Sequence, residues 1–293
     1  MNRVRYRAQQ TVAGPAEVRG VGFLTGADIR LRFLPAPPSS GVVFARTDLG
    51  PKALVPARLE QVTGTQRRTT LGSPPVTVGL VEHVLAALAG LHIDNCLVEV
   101  NAPEPPGLDG SAWGFVAALR QAGTRLQPAR RAVWSPAASI VVRQPGATLA
   151  LHPTADDQLR VSYLLNYGML SPICPQRRTL TMTPESFAND VASCRTFLLE
   201  EEAHILRKQG LGARTTLADL VVFGPRGPMH NKLRWADEPV RHKILDIIGD
   251  LSLLGHDIVG HVVAYRSGHP LNIELVRALS QCISERRQRQ RVA

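Results

Sequence analysis

The chain has 293 residues, 44% of them hydrophobic and 20% charged, a composition that excludes a disordered, fibrous or collagen-like chain and leaves room for about two globular domains. A net charge of +10 and a pI near 10.2 favour anionic partners. On charge alone these could be nucleic acid, a membrane surface or a phosphorylated small molecule.

Other features narrow that choice. The N-terminal "MNRVRYRAQQ" is basic but has no apolar run behind it, and no apolar stretch approaches the roughly 18–20 residues that span a bilayer. A soluble, cytoplasmic protein without a transmembrane segment is expected. With no recognisable nucleic-acid module and only 5% aromatic residues, a nucleic-acid partner is not expected. Cys96, Cys174, Cys194 and Cys282 form no C-x-x-C pair, which argues against a disulfide framework or a thiolate zinc site and for buried small apolar residues. Much of the excess charge lies in "ARRA" near residue 130 and in the terminal "ERRQRQRVA". These read as a solvated linker and a frayed tail able to make weak contact with an anionic surface.

In chain order, "GVVFAR" predicts a strand, "TVGLVEHVLAALAGL" a helix and "CLVEVNAP" another strand. Through "LRQAGTRLQPARRAVWSPAA" the pattern turns from helical to polar and Pro-bearing, which places a boundary near residue 130, between an N-terminal α+β domain at 1–127 and a C-terminal one at 134–293. Strands follow at "SIVVRQ", "ATLALHP" and "LRVSYLLNY", then a helix through "PESFANDVASCRTFLLEEEAHILRKQG", a helix at "VRHKILDIIGDL", a strand at "GHVVAYR" and a closing helix from Leu271. Both halves run strands first and helices after, as two similar α+β layers packed together would.

The stretch "VRHKILDIIGDL" carries the chemistry. Val240, Ile244, Ile247, Ile248 and Leu251 recur at helical spacing and bury one face. His242 and Asp246 then share a side of the helix with Cβ atoms roughly 5–6 Å apart, close enough to share a cation or a proton. A catalytic zinc site needs about three His or carboxylate ligands, and His83 beside Glu82 offers a third ligand with a neighbouring base. Spacing leaves the matter open, because His-x-x-x-Asp is more often an i,i+4 hydrogen bond and a Glu-His pair more often a solvated helix face. His269, in the Gly-containing turn of "YRSGHPLN", suits proton transfer. His92, His152, His204, His230, His256 and His261 are rival ligands, of which only His204 has helical carboxylate neighbours, Glu200 and Glu201.

The segments "VEHVLAALAGLHIDNCLVEVNAPEPPGLDGSA", "CRTF", "LRWADEPVRHKILDIIGDLSLLGH" and "YRSGHPLN" together resemble the UDP-3-O-acyl-N-acetylglucosamine deacetylases, zinc amidases of bacterial lipid A synthesis. The resemblance covers nearly the whole chain in the same order, closely over 76–116 and 231–279. It implies two similar two-layer α/β sandwich domains, each with a small insert, and an active site between them. It further implies His83, His242 and Asp246 as ligands of Zn2+, with Fe2+ an alternative at a His2Asp site. Glu82 would be the general base, His269 the general acid or a cation that stabilises the transition state, Thr196 an oxyanion partner and Asp250 the carboxylate that orients His269. Lys243 and Phe197 would contact the substrate, a UDP-linked acylated amino sugar whose acyl chain passes along a second-domain insert near 198–218.

The chain departs from the family at three places. "GVGFLTG" has Leu24 where a His is usual, "TQRRTTL" has Arg67 and Arg68 near a position often small or Cys, and Arg214, Thr215, Thr216 and Ala218 replace small and acidic residues. These departures leave two alternatives beside the deacetylase: a paralogous zinc amidase acting on another N-acylated nucleotide sugar, and a non-catalytic anionic-ligand binder.

Overall fold

The computed structural model describes residues 3–292. The first half runs β1 (Arg3–Val12), β2 (Ala16–Val21), β3 (Asp28–Pro35), β4 (Val42–Arg46), β5 (Leu54–Pro56), β6 (Val62–Gly64), β7 (Thr70–Ser73), β8 (Val76–Val78), α1 (Glu82–Gly90), β9 (Cys96–Val100) and α2 (Trp113–Ala122). The long strand β10 (Thr124–Ser135) leads to β11 (Ile140–Gln144), β12 (Ala147–His152), β13 (Leu159–Leu165) and β14 (Gln176–Met182). Then come α3 (Pro184–Ser186), β15 (Phe197–Leu199), α4 (Glu200–Lys208), β16 (Val221–Gly224), β17 (Gly227–Pro228), α5 (Glu238–Leu251), β18 (Asp257–Ile258), β19 (Gly260–Tyr265) and α6 (His269–Val292). None of the described helices is long and apolar enough to cross a membrane.

Each half holds a five-stranded sheet, and the two sheets are built alike. The orders are β2-β3-β9-β4-β5 and β11-β12-β19-β13-β14. In both, the only parallel pair is the central strand with its fourth-listed neighbour, β9 with β4 and β19 with β13. A three-stranded sheet, β6-β7-β8, is inserted in the first half and another, β15-β16-β17, in the second. Mixed α+β layers of matching topology therefore meet, and they meet through the corresponding helices: α1 packs on α5. The approach is tight, since a Cβ built on Gly249 would lie 2.2 Å from the carbonyl oxygen of Glu82.

The core runs across this contact. Val84, Leu85 and Leu88 of α1 and Ile244, Ile247 and Ile248 of α5 all belong to it, each large side chain contributing about 1.5–3 kcal/mol by burial. Only Lys243 among the residues of α5 escapes full burial. The one-faced amphipathic helix expected at 240–251 is instead enclosed on every side, so its polar face looks inward.

The polar stretch expected to be a boundary with a solvated linker is strand β10, paired antiparallel with β1 from Val12↔Thr124 to Arg3↔Ser135. Pro128 falls at the register shift of this ribbon, where the missing N–H costs no ladder bond. Arg131 of "ARRA" is three-quarters buried or more, held by Asp257 at 3.1 Å, while Asp94 binds Arg7 through both oxygens at 2.7 Å.

The single helix expected over 184–210 is broken. A short helical stretch ends near Val191, Phe197–Leu199 pairs parallel with β16, and α4 begins only at Glu200. Thr196 explains the break, because its N–H donates to the Gly110 carbonyl 2.7 Å away, drawing the backbone out of helical register toward the first half. The closing helix starts at His269, two residues before Leu271. Of the cysteines, all free, Cys96 and Cys194 are buried as expected, Cys282 partly so, and Cys174 is exposed in the loop before β14. The terminal basic run continues as helix to Val292 rather than fraying at once. Ala293 and the side chains of residues 287 and 289–292 lie outside the described residues, and so does any surface contact they make.

Candidate active site

The N-terminus of α1 and the middle of α5 face each other, which brings His83 to His242 with ring centroids 5.1 Å apart and planes at 86°. Asp246, one turn beyond His242, places Oδ1 3.4 Å from His242 Nε2 and 3.9 Å from His83 Nε2. Among the described residues these three form the one group of His, Cys, Asp or Glu able to hold a metal ion, their ligand atoms all lying within 4.8 Å of one another. The rival histidines lie apart from it: His152 bonds Ser139, His261 bonds Ser162, and His204 is exposed on α4.

The charge states suit a cation. Burial, reinforced by neighbouring His242, pushes His83 down to about 3, and burial also lowers His242, so both imidazoles are neutral donors. His242 Nδ1 donates to the Cys194 carbonyl at 3.0 Å, which leaves its Nε2 lone pair facing the cluster. Burial works against an ionised Asp246, yet the Lys243 ammonium, with protonated His269 adding to it, holds it well below the usual carboxylate range. Lys243 Nζ binds Asp246 Oδ2 at 2.7 Å, so Oδ1 is the oxygen left for an ion. Two neutral nitrogens and one anionic oxygen around a shared point fit a divalent metal with room for further ligands.

Around this trio lie the other residues singled out in the sequence. Thr196 Oγ1 is 3.5 Å from His83 Nε2 and 3.4 Å from His242 Nε2. The Phe197 ring sits 6.1 Å from that of His242 and 6.0 Å from that of Tyr167, with Lys243 Nζ 5.6 Å from its centroid. Glu82 is 3% exposed; burial, with Asp246 and Asp250 adding to it, pushes its carboxyl up to about 7 although His269 opposes the shift. His269 is a buried helix-start residue and not a loop histidine. Its Nδ1 bonds Asp250 Oδ2 at 2.8 Å, and Nε2 lies 4.0 Å from Asp246 Oδ2. Burial alone would discharge that ring, but Asp250, Asp246 and Glu82 outweigh it and raise it to about 9. A buried carboxyl and a buried imidazole, both pushed up, are thus held near each other, each influencing the charge of the other.

Three parts of the site escaped the sequence reading. Thr69 is fully buried; its N–H donates to Glu82 Oε2 at 3.0 Å and its hydroxyl to Asp250 Oδ1 at 2.6 Å. Asn272 donates to Asp250 Oδ2 at 2.8 Å. Arg195, beside Thr196, is locked to Glu238 through its backbone N–H, Nε and Nη2 at 2.8–3.0 Å. Only position offered a signal for these: Thr69 adjoins the unusual Arg67-Arg68 pair, and Arg195 lies inside "CRTF".

The departures also acquire places. The backbone N–H groups of Leu24 and Thr25 donate to the carboxylate of Glu104. In the same loop, the Gly26 carbonyl accepts from Arg214 Nη1 at 2.9 Å, and Asp28 pairs with that nitrogen at 3.0 Å. Arg67 of the first inserted sheet pairs with Glu202 of α4 at 3.1 Å.

Comparison with known proteins agrees with this geometry. The profile of the UDP-3-O-acyl N-acetylglycosamine deacetylase family matches residues 9–281. Proteins named UDP-3-O-acyl-N-acetylglucosamine deacetylase are 40% identical in Myxococcus xanthus, over 92% of this chain and 85% of that protein, and 38% identical in Geobacter sp. strain M21, over 92% and 88%. One from Chlamydia felis is 40% identical over 93% of this chain and 97% of its own length. The chain belongs to the UDP-3-O-acyl N-acetylglycosamine deacetylase family.

Proposed function

We propose that this protein hydrolyses the N-acetyl amide of UDP-3-O-acyl-N-acetylglucosamine in lipid A biosynthesis, releasing acetate and the free amine. The observation that carries the reading is the meeting, in a member of this family, of a His-His-Asp cluster with a buried carboxyl and a buried imidazole of opposite charge preference.

His83, His242 and Asp246 would hold the metal, which we take as Zn2+ with Fe2+ the alternative, since nitrogen and carboxylate donors in a buried three-ligand set serve both. Such an ion supplies Lewis-acid chemistry, making water acidic and polarising an amide carbonyl. The remaining steps belong to the chain's own side chains. Glu82, ionised, accepts the proton of the attacking water. Thr196 Oγ1 donates to the oxyanion that develops on the amide oxygen. His269, protonated and held by Asp250, delivers a proton to the departing nitrogen. Atoms balance: water supplies hydroxyl to the acyl carbon and hydrogen to the amine.

Lys243 and Phe197 stand beside His242, the ammonium 5.6 Å from the ring centroid, a cation and an aromatic face suited to the diphosphate and the flat or apolar parts of a UDP-linked sugar. The reading takes the chain as two domains, 1–127 and 134–293, supported by the matching sheet orders. The insert near 198–218 is taken to wall the acyl passage. Arg214, in that insert, contacts the Gly26 carbonyl and Asp28 in the loop that also holds Leu24, so two of the chain's departures from the family lie near one another. A cytoplasmic location goes with a nucleotide-sugar substrate, and the basic C-terminal run adds at most a weak anionic-surface contact.

The test is mass spectrometry of products from UDP-3-O-acyl-N-acetylglucosamine substrates of several acyl lengths, with metal content measured on the same preparation. Acetate release from one or more of them is expected. Stoichiometric metal without acetate release from any would favour the paralogous amidase, and neither metal nor acetate the anionic-ligand binder.

A further inference from the structure

Glu82 and His269 lie on different halves of the molecule, on α1 and at the start of α6, and their relative placement decides whether a proton can pass from attacking water to leaving amine. Thr69 touches the supports of both. Its backbone N–H donates to Glu82 Oε2 at 3.0 Å. Its hydroxyl donates to Asp250 Oδ1 at 2.6 Å and lies 3.3 Å from His269 Nδ1. Asp250 uses its other oxygen for His269 and Asn272, both at 2.8 Å. All these groups are buried, Thr69 and Asp250 completely, so no water competes for the bonds and an unmet carboxylate lone pair would be costly.

We propose that Thr69 is a positioning residue that sets the proton-donating arm of the site against the proton-accepting arm. It belongs to the stretch just before β7 of the first inserted sheet, whereas Asp250 and His269 come from the second half. One residue thus spans the contact between the halves, using a main-chain donor toward the base and a side-chain donor toward the acid's carboxylate. With the hydroxyl in place, Asp250 can turn its remaining oxygen only toward His269 and Asn272, which fixes the imidazole plane and aims Nε2 at the metal-ligand cluster. Without it, Asp250 has a free oxygen and can rotate, and the ring follows. The proposal rests on the deacetylase reading given above.

The division of labour within Thr69 makes a selective test. Thr69→Val removes the hydroxyl and keeps shape, backbone and the bond to Glu82. Its kcat for acetate release should fall on the order of 10–100-fold, the usual cost of losing a residue that orients a site group, with KM and bound metal little changed. Thr69→Ser restores the hydroxyl and should recover most of the rate, which a packing role of the methyl group would not allow. In a His269→Ala background the Val substitution should add little further loss, because the arm it positions is gone; independent effects would multiply. Melting temperatures are measured for every variant, and Thr69→Ala carries the comparison if the Val variant does not fold. A Val variant with the wild-type rate, a Ser variant as slow as Val, or full multiplication with His269→Ala each overturns the proposal while the enzyme remains a deacetylase. A wild-type protein that releases no acetate overturns the parent reading and this one with it.

Discussion

The Nδ1 hydrogen of His242 points at the main-chain carbonyl of Cys194, 3.0 Å away. The ring's free nitrogen therefore faces Asp246 Oδ1 at 3.4 Å. A main-chain acceptor cannot be exchanged by side-chain mutation or titrated, so the metal-facing tautomer is built into the fold.

Metal content should follow from that arrangement. His242→Ala and Asp246→Ala each remove one of three ligands and should lower bound metal, by 10-fold or more in affinity given the few ligands available. Elemental analysis of the dialysed variants checks it. Unchanged stoichiometry in both would place the ion elsewhere.

Glu82→Gln separates chemistry from binding. The amide can still accept the Thr69 N–H bond but cannot take a proton, so metal should stay while turnover drops on the order of 10²–10⁴-fold. Wild-type turnover in this variant would remove Glu82 as the base.

The pH dependence has a definite sign. A base must be ionised and an acid protonated, so kcat/KM should climb along an acid limb as Glu82, which burial pushes up, loses its proton, and decline along an alkaline limb as His269, which Asp250 holds up, loses its own, with a bound cation drawing both limbs to lower pH. Stability of the metal-free protein runs the other way for Glu82. Its folded value lies above the ordinary 4.5, so the stability it contributes is complete below about 4.5 and is lost as pH rises to about 7. At roughly 1.4 kcal/mol per unit this amounts to about 3 kcal/mol. Metal-free Glu82→Gln should consequently melt above wild type at pH 8 and level with it at pH 4.5. Calorimetry at the two pH values decides.

Gly249→Ala probes the contact that puts α1 against α5. The new methyl would meet the Glu82 carbonyl at 2.2 Å, and because backbone cannot swing aside the helices must part. A loss of at least about 1–3 kcal/mol is expected from such overpacking, together with a fall in kcat as Glu82 and His83 move off station. Urea denaturation and steady-state kinetics measure both; a stable, fully active variant would show that the helices tolerate separation.

Two ion pairs of opposite kind give a comparison of magnitudes. Arg195 and Glu238 are almost wholly buried, with side chains 5% and 1% exposed, so Glu238→Ala strands a buried charge and should cost about 3–5 kcal/mol. Arg67 and Glu202 are 51% and 30% exposed, and Arg67→Ala should cost under about 1 kcal/mol. Chemical denaturation of the two variants should separate them widely. Equal losses would mean that the clasp between the inserted segments is stronger than its exposure allows.

Much of this protein was determined locally. Strands at 42–46 and 96–100, the helix expected at 240–251 and the pairing of His242 with Asp246 follow from side-chain periodicity, which nearest-neighbour geometry enforces wherever the chain lies; of the helix expected over 77–91, Glu82–Gly90 is helical while Val76–Val78 is strand. The site's named residues were also legible, since long stretches shared with one family carry them. Tertiary structure decided the rest. Val240 to Leu251 showed one apolar stripe, but only the arrival of α1 made its polar face interior, and with that came the shifts of Glu82 and His269. The helical pattern across 184–210 was overruled at Thr196 by a hydrogen bond to Gly110, a residue 86 positions away. The polar run at 124–135 became a strand because β1 lies beside it. Thr69 had no mark in the sequence beyond its place next to Arg67 and Arg68: its contacts are with Asp250 and His269, 181 and 200 residues further on. Periodicity reports what a residue's near neighbours require, whereas burial, charge state and the partner of a lone hydroxyl depend on chain segments that meet only when the whole molecule has folded.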